Sequence, residues 1–275
     1  MTTIDASACW TTIAPEWDRL RADVEAMKTE LTARLLAGVG PLAGRRVLEL
    51  GAGTGALAER LADAAGPGGK VLASDVAGGM VALLEGHLGD RPSVEVARID
   101  ACDIPLPDAS VDVVVFRMGL MLIPTPEVAL GEIRRVLRPG GRLGVAVWGT
   151  APANPWMTSV GMAAMMHGLV QGGPPMGPGG PFSLADPDRL ATLVRDAGFS
   201  DVSVTAVESS RLYADPDRHV EVVSALAPPL SAALRTATPE QRAALTKTVG
   251  ELTAQYRDGD GVRLPSSALL CLARA

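Results

Sequence analysis

The amino-acid sequence predicts an α/β fold in which a doubly wound, mostly parallel sheet of seven strands carries a helical cap. Short runs rich in β-branched residues recur with little polar alternation, as expected for strands covered on both faces. Stretches with helical spacing separate these runs, and this alternating order implies parallel strands joined by right-handed crossovers. With 275 residues, 47% of them hydrophobic, the chain is long enough to bury a sizeable core.

The first predicted element is a helix near the N-terminus. Apolar residues recur at steps of three and four from Trp10 to Leu35, which predicts one helix with a single buried stripe. Pro15 suits the first turn of such a helix, and Gly38 and Gly40 end it. We therefore expect residues 1–40 to form an N-terminal helical cap.

Residues 41–150 have the pattern of a sheet with crossover helices. Helical spacing predicts helices at about 54–65, 78–89 and 125–137. The connection 99–110 holds two prolines and no helical pattern, so we expect a site-forming loop there. The predicted strands of this core are residues 46–50, 70–75, 94–98, 111–116 and 141–148.

The pattern loosens in residues 151–182, which we expect to form a lid or cap insertion. A helical stretch at about 155–170 precedes residues 171–182, where five Gly and four Pro prevent a regular element and favour a mobile lid. Residues 183–275 are expected to complete the sheet. Their predicted elements are a capped helix at 186–198, a strand at 200–207, a helical insertion at about 215–257 made of helices 215–228 and 238–257, and a last strand at 268–273.

Net charge and cysteine content indicate which partners and which cellular compartment to expect. The formal charge is −6 without any Lys/Arg-rich run, so a nucleic acid is not an expected partner. Cys9, Cys102 and Cys271 have no paired or metal-type spacing, and we interpret them as free thiols in a reducing compartment. The sequence shows no export signal and no run of apolar residues long enough to span a membrane, so we expect a cytoplasmic protein without membrane partners.

The most informative segment is a strand that runs into glycines and then into a helix, from Val47 to Ala56. Gly51 and Gly53 let the backbone turn sharply and approach a ligand, while the helix offers its N-terminal N–H groups. Gly51, Gly53 and Ala56 also satisfy the dinucleotide pattern G-x-G-x-x-G/A. The spacing alone therefore leaves an NAD-dependent oxidoreductase open.

Two carboxylates at strand ends refine this interpretation. Glu49 lies two residues before the first glycine, where a pyrophosphate would meet a negative charge. S-adenosylmethionine (SAM) instead carries an ammonium and a sulfonium, for which a carboxylate is a favourable neighbour. Asp75 ends the second strand 20 residues after Gly55, where a carboxylate can accept both ribose hydroxyls of either cofactor.

Four segments in order resemble the SAM-binding core of class I methyltransferases, in the branch of the ubiquinone/menaquinone C-methyltransferases and similar natural-product methyltransferases. This resemblance is strong over residues 40–150 and implies a Rossmann-like sheet and SAM-dependent methyl transfer, with S-adenosylhomocysteine as product. The segments are Val47-Leu-Glu-Leu-Gly-Ala-Gly-Thr-Gly55, Lys70-Val-Leu-Ala-Ser-Asp75, Asp100-Ala-Cys-Asp-Ile-Pro-Leu-Pro107 and Leu137-Arg-Pro-Gly-Gly-Arg-Leu143.

The resemblance implies a role for each part of the cofactor site. The glycine loop would surround the methionine part of SAM, and Asp75 would accept hydrogen bonds from the ribose. Asp100 and Ala101 would contact the edge of the adenine ring. An aromatic residue of the N-terminal helix often folds over SAM in this family, which makes Trp17 a candidate beside Trp10. The implied cofactor-binding residues are Glu49, Gly51, Ala52, Gly53, Thr54, Gly55, Asp75, Val76, Met80, Asp100, Ala101, Phe116, Arg117, Met118 and Trp17.

Two residues are candidates for direct catalytic roles. Arg117 stands where the family less often has arginine, and its guanidinium suits either the SAM carboxylate or the methyl acceptor. His167 is the one histidine in the predicted lid, which makes it a candidate for substrate contact or proton removal. Histidine and cysteine spacings indicate no metal site.

The sequence thus predicts a SAM-dependent methyltransferase that acts on a small, largely apolar molecule, either a secondary metabolite or a quinone-like acceptor. The acceptor would be enclosed by the N-terminal helix, residues 150–182 and the helices after 215. An NAD-dependent oxidoreductase and a non-catalytic SAM-binding protein are the alternatives. A homodimer is compatible with the sequence.

Overall fold

The predicted alternation of strands and helices is present in the computed structural model, which describes residues 6–172 and 177–275. The helices of this described part are α1 (Ala6–Arg19), α2 (Arg21–Met27), α3 (Thr29–Val39), α4 (Ala56–Ala65), α5 (Gly78–Leu88), α6 (Pro126–Val136), α7 (Pro155–Met166), α8 (Pro187–Asp196), α9 (Pro216–Leu226), α10 (Pro228–Thr236) and α11 (Pro239–Leu252). Its strands are β1 (Arg46–Leu50), β2 (Lys70–Asp75), β3 (Val94–Arg98), β4 (Val111–Arg117), β5 (Leu137–Trp148), β6 (Ser200–Tyr213), β7 (Arg257–Asp258) and β8 (Gly261–Arg274).

These strands form one sheet with the order β3-β2-β1-β4-β5-β8-β6. The pairs from β3 to β5 are parallel, and β8 lies antiparallel between β5 and β6. The doubly wound, mostly parallel sheet is therefore confirmed. The described residues contain eight strands where the sequence predicts seven, because the two-residue β7, which pairs with β8, is too short to produce a periodic signal.

Alternate side chains of each parallel strand face opposite sides of the sheet and join two hydrophobic clusters. Leu48 and Val114 pack with α6 and α8 on one side, whereas Val47 and Val113 pack with α3, α4 and α5 on the other. Both sides are thus covered, which explains why these strands are nearly continuous apolar runs in the sequence.

A third hydrophobic cluster lies within the helical cap. Trp156 and Val160 of α7 pack there with residues of α9 and α11, with Tyr213 at the end of β6, and with Leu20 and Val24 from the N-terminal segment. The helices on which the sequence places a lid and an insertion therefore share one core with the N-terminal helices.

The N-terminal segment differs from the single helix that its periodicity predicts. The chain breaks into α1, α2 and α3 at Leu20 and Lys28, whose backbone angles leave the helical range (ψ 12° and 8°). Neither residue is a helix breaker, and the apolar stripe continues across both breaks, so the pattern gives no sign of them. The prediction for Pro15 is wrong, because Pro15 lies inside α1 on its exposed side rather than in a first turn.

Further differences concern element lengths. Strand β5 begins at Leu137, four residues before the predicted start, with an irregularity opposite Val111–Val113. Strands β6 and β8 extend well beyond their predicted bounds, and α10 is an additional helix that begins with a Pro-Pro pair. Residues 99–110 contain no helix, as predicted. Of the predicted lid loop 171–182, residues 173–176 lie outside the described residues.

Candidate active site

A cavity of about 560 Å³ opens at the carboxyl ends of β1, β2 and β4, where the strand order reverses direction. This is the switch point at which open α/β sheets bind ligands. Helices α1 and α2 form its outer wall. Of the predicted cofactor residues, those that line the cavity are Gly51, Ala52, Gly53, Thr54, Asp75, Val76, Met80, Asp100, Ala101, Phe116, Arg117, Met118 and Trp17.

The glycine loop after β1 is fastened to the neighbouring strand β2. The Ala52 N–H donates to the Ser74 carbonyl at 2.8 Å, and the Gly53 N–H donates to Asp75 Oδ2 at 3.1 Å. Gly55 then takes a left-handed conformation (φ +84°) and caps α4. The predicted strand, turn and helix are therefore present, and the loop exposes its backbone to the cavity.

Asp75 stands at the end of β2 beside this loop. Its Oδ1 accepts the Ala77 N–H at 2.9 Å, so both carboxylate oxygens are oriented by backbone N–H groups. Burial raises the pKa of Asp75, while the backbone N–H groups oppose this shift. The arrangement fits a carboxylate that accepts ribose hydroxyls.

Glu49 lies just behind the cavity wall and is 1% exposed. Its Oε2 is buried without a hydrogen-bond partner among the described residues. Burial raises the pKa of Glu49 to about 8, although the nearby Arg117 charge acts in the opposite direction. A buried acceptor without a donor is costly. The amino group of SAM would supply that donor from the adjoining cavity, so the residues present fit this cofactor.

Arg117, at the end of β4, is already engaged by the outer wall. Its two terminal nitrogens donate to both carboxylate oxygens of Glu25 at 2.8 and 2.7 Å, and Nη1 also donates to Thr32 Oγ1 at 2.7 Å. The guanidinium therefore fixes α2 and α3 to the sheet edge. Arg117 borders the cavity as predicted, but its charge is paired within the protein rather than directed at a ligand.

Glu25 and Lys28 line the same cavity and are absent from the sequence-based prediction. The Lys28 Nζ lies 3.1 Å from Glu25 Oε1 and 5.8 Å from the centre of the Trp17 ring. Burial raises the pKa of Glu25, but the charges of Lys28 and Arg117 outweigh it and hold the pKa at about 2. Burial and the Arg117 charge lower the pKa of Lys28 to about 8. One sequence signal existed: Lys28 follows the buried Val24 by four residues and so sits beside the apolar stripe.

Aromatic and apolar side chains form the rest of the cavity wall. Trp10 and Trp17 pack edge to face with ring centres 5.7 Å apart, and Trp17 Nε1 donates to the Leu226 carbonyl at 3.3 Å. Met118 lines the same cavity and has a left-handed backbone (φ +66°), which is a strained conformation for a residue with a side chain. Its N–H still donates to the Ala146 carbonyl at 2.8 Å, so the strand holds the strained residue in place.

The structure does not bring His167 to this cavity. His167 follows the end of α7, and its Nε2 lies 2.8 Å from Thr248 Oγ1 of α11. No described residue of 151–182 is among the cavity-lining residues. A Cβ added at Gly179 would lie 3.5 Å from Pro124 and 3.6 Å from the Leu122 carbonyl, two residues that line the cavity, but Gly179 itself does not line it. The catalytic role of His167 therefore has no support from its position.

Neither a metal site nor a membrane-spanning helix is found in the described part of the chain. No group of three or more His, Cys, Asp or Glu side chains is arranged to hold a metal ion in residues 6–172 and 177–275. Over the same ranges, no helix has the length and apolar character that a membrane span requires.

The chain matches the family model described as a methyltransferase domain over residues 48–145. It is 32% identical over 209 residues to demethylmenaquinone methyltransferase of Renibacterium salmoninarum. This alignment covers 72% of this chain and 85% of that protein. It is 38% identical to a ubiquinone/menaquinone biosynthesis C-methyltransferase of Ectopseudomonas mendocina over 46% of this chain and 49% of the relative. The chain likewise spans about half the length of several other curated relatives.

A solved structure with the same fold is a putative methyltransferase from Bacillus halodurans. It has a TM-score of 0.60 and 17% identity, and the alignment covers 88% of this chain and 97% of the other. The extended match to the Renibacterium protein decides between the two cofactors that the glycine spacing left open. The chain belongs to the class I SAM-dependent methyltransferases, in the branch of the ubiquinone and menaquinone C-methyltransferases.

Proposed function

We propose that the protein transfers the methyl group of SAM to a small, largely apolar acceptor of the quinone-precursor type. The observation that carries this proposal is the continuity of one cavity. It begins at the glycine loop and Asp75 and continues along the indole rings of Trp10 and Trp17 to Leu122 and Ile123. A flat aromatic acceptor is suited to such walls, because aromatic rings prefer edge-to-face or offset contacts with one another.

The residues of this chain would bind SAM at three points. Asp75 accepts from the ribose, the backbone of the glycine loop faces the methionine part, and Glu49 accepts from the amino group. When bound, SAM supplies an electrophilic methyl group on sulfur. These contacts fix the cofactor on the rigid sheet edge, so that the cavity space beside Met118 is left for the acceptor.

The protein's contribution to the rate would be alignment of the acceptor and exclusion of water. Holding reactants in an attacking geometry is worth up to roughly 7–11 kcal/mol in favourable systems. Among the described residues, no histidine lines the cavity. The carboxylates that line it accept hydrogen bonds from backbone N–H groups or from arginine. We therefore expect acceptors that are already acidic or carbon-nucleophilic to be better substrates than neutral alcohols.

The test is to incubate the full chain with SAM and a panel of acceptors and to measure S-adenosylhomocysteine by mass spectrometry. The panel would contain a short-chain demethylated hydroquinone, a phenol, a primary amine and a long aliphatic alcohol. Formation of methylated hydroquinone supports the proposal. Tight SAM binding without turnover of any member would support the non-catalytic alternative, and binding of NAD instead of SAM would contradict both.

A further inference from the structure

The outer wall of the cavity contributes a cation whose hydrogen-bonding capacity is mostly unused. Lys28 is 7% exposed, lines the cavity, and makes its shortest polar contact with Glu25 at 3.1 Å. An ammonium group has three donors. The single carboxylate contact leaves two of them for another acceptor, which a buried ammonium needs because its desolvation is costly.

The neighbouring cation already uses three of its five N–H donors within the protein, and these bonds fix its orientation. Arg117 holds Glu25 through two nitrogens and Thr32 through one of them. Since Glu25 is shared between Arg117 and Lys28, the cluster carries more positive than negative charge on the cavity side of α2. An anionic group of a ligand would balance that excess. Glu49, at the end of β1, stands close enough for its charge and that of Lys28 to affect each other's pKa.

We propose that Lys28 binds the carboxylate of the amino-acid end of SAM, while Glu49 accepts from the ammonium of the same end. The proposal rests on the proposed function, because it takes SAM as the ligand of this cavity. An amino acid carries both charges on one carbon, so its site needs an anion and a cation side by side. Lys28 and Glu49 supply that pair from the outer wall and the sheet edge.

The backbone around Lys28 is held firmly for such a role. Lys28 ends α2, and its N–H donates to the Glu25 carbonyl at 2.9 Å. Helix α2 is fastened on its other side, where Asp23 forms ion pairs with Arg211 and Arg218. These contacts fix the helix without using Lys28, so removal of the Lys28 charge should leave α2 in place.

A ligand series can separate the carboxylate from the rest of the cofactor. We would measure calorimetric affinities of S-adenosylhomocysteine and of S-adenosyl-3-thiopropylamine, which lacks only the carboxylate. The proteins would be the unaltered chain, Lys28→Met, Lys28→Gln as a second variant, and Lys247→Met as a control at an exposed lysine. Lys28→Met should weaken S-adenosylhomocysteine about tenfold or more, the loss typical of a charge-assisted bond. Its affinity for the decarboxylated analogue should change less than about twofold.

The other outcomes assign failure to one proposal or the other. An equal loss for both ligands, or no loss for S-adenosylhomocysteine, would overturn the role of Lys28 and leave the proposed function intact. An unaltered chain that binds neither ligand nor SAM would overturn both. If thermal unfolding shows that Lys28→Met is not folded, the ratio of the affinities for S-adenosylhomocysteine and its decarboxylated analogue is measured in Lys28→Gln, whose side chain keeps a polar end.

Discussion

Glu49 is a buried carboxyl group that an incoming ammonium would convert to a carboxylate. In the free protein burial raises its pKa to about 8, with Arg117, Glu25, Lys28 and Asp75 as the charged neighbours. At pH 7 the group is then mostly protonated, and pairing with a cation lowers its pKa. We predict that S-adenosylhomocysteine binding releases close to one proton at pH 7, and that affinity rises as the pH increases from about 6 to 8.

Calorimetry in buffers of different ionisation enthalpy measures this proton release directly. The matched control is Glu49→Gln, which keeps the shape of the side chain and has no proton to lose. Lys28 has a pKa of about 8 and remains mostly protonated at pH 7, so it adds little to the count. A release of the same size from Glu49→Gln would show that another group titrates.

Asp75 has both a structural and a ligand-binding function, and a single substitution can change both at once. Besides facing the ligand, its oxygens accept the N–H groups of Gly53 and Ala77. Asp75→Asn keeps one acceptor oxygen and is therefore a milder change than Asp75→Ala. We predict that it weakens SAM by about tenfold to a hundredfold, as expected for the loss of about 1.5–3 kcal/mol in bonds to a charged group.

Asp112→Asn is the control for this substitution. Asp112 lies at the start of β4, far along the strand from the cavity, and its Oδ2 also accepts a backbone N–H, that of Arg46, at 2.8 Å. Both variants lose a carboxylate that accepts hydrogen bonds from backbone N–H groups, so both should unfold at a lower temperature. Only Asp75→Asn should bind SAM more weakly, and equal affinities for the two variants would refute the ribose assignment.

The glycine loop is the element in which backbone shape and binding are most closely linked. Gly53 has φ +58°, and no described atom beyond its chain neighbours lies within 4 Å of the place that a Cβ would take, so a methyl group there would project into open space at the cavity. Gly66 also has a positive φ (+65°) and open space around it, but it ends α4 away from the cavity and has an extended ψ of −172°. Gly66 is therefore a control for backbone strain without contact with the cavity.

We predict that Gly53→Ala and Gly66→Ala both lose stability because each places a side chain at a positive φ, and that the loss for Gly66→Ala is about 1–3 kcal/mol, since its ψ of −172° is essentially restricted to glycine. Gly53→Ala alone should lose most of its SAM affinity, because its methyl group occupies space that the methionine part needs. Urea unfolding and calorimetry on both variants measure the two effects. Similar SAM affinity for the two variants would mean that the loop does not hold the cofactor.

Elements of the site differ in how well the sequence predicts them. Glu49, Asp75 and Asp100 are predictable because parallel strands bring their carboxyl ends to one edge, and strands covered on both sides give a strong pattern. Glu25 and Lys28 are not, since the break at Lys28 comes without Gly or Pro and a continuous helix would assign both to ordinary helical positions. His167 shows the converse error, because its place beside a Gly/Pro-rich loop says nothing about which helix it packs against.

At the scale of the whole molecule, the cavity joins the sheet to the N-terminal helices and leaves α7 outside. Trp10, Trp17, Glu25 and Lys28 contact the cavity from α1 and α2, whereas α7 packs on α9 and α11. The sequence instead predicts a lid in residues 151–182. A ligand stabilises the segments that it contacts more than those that it does not.

We therefore predict that S-adenosylhomocysteine slows amide hydrogen exchange in residues 6–28 and in the loop after β4, with little change in α7. Exchange would also be measured for the same peptides of Lys28→Met, with each protein saturated by ligand. At saturation a difference in protection reflects lost contact with the ligand rather than weaker binding. Protection confined to residues 155–172 and 177–182 would instead favour the lid. Protection in both regions would mean that the shared cap core, which includes Val24 and Trp156, transmits the effect of the ligand from α2 to α7.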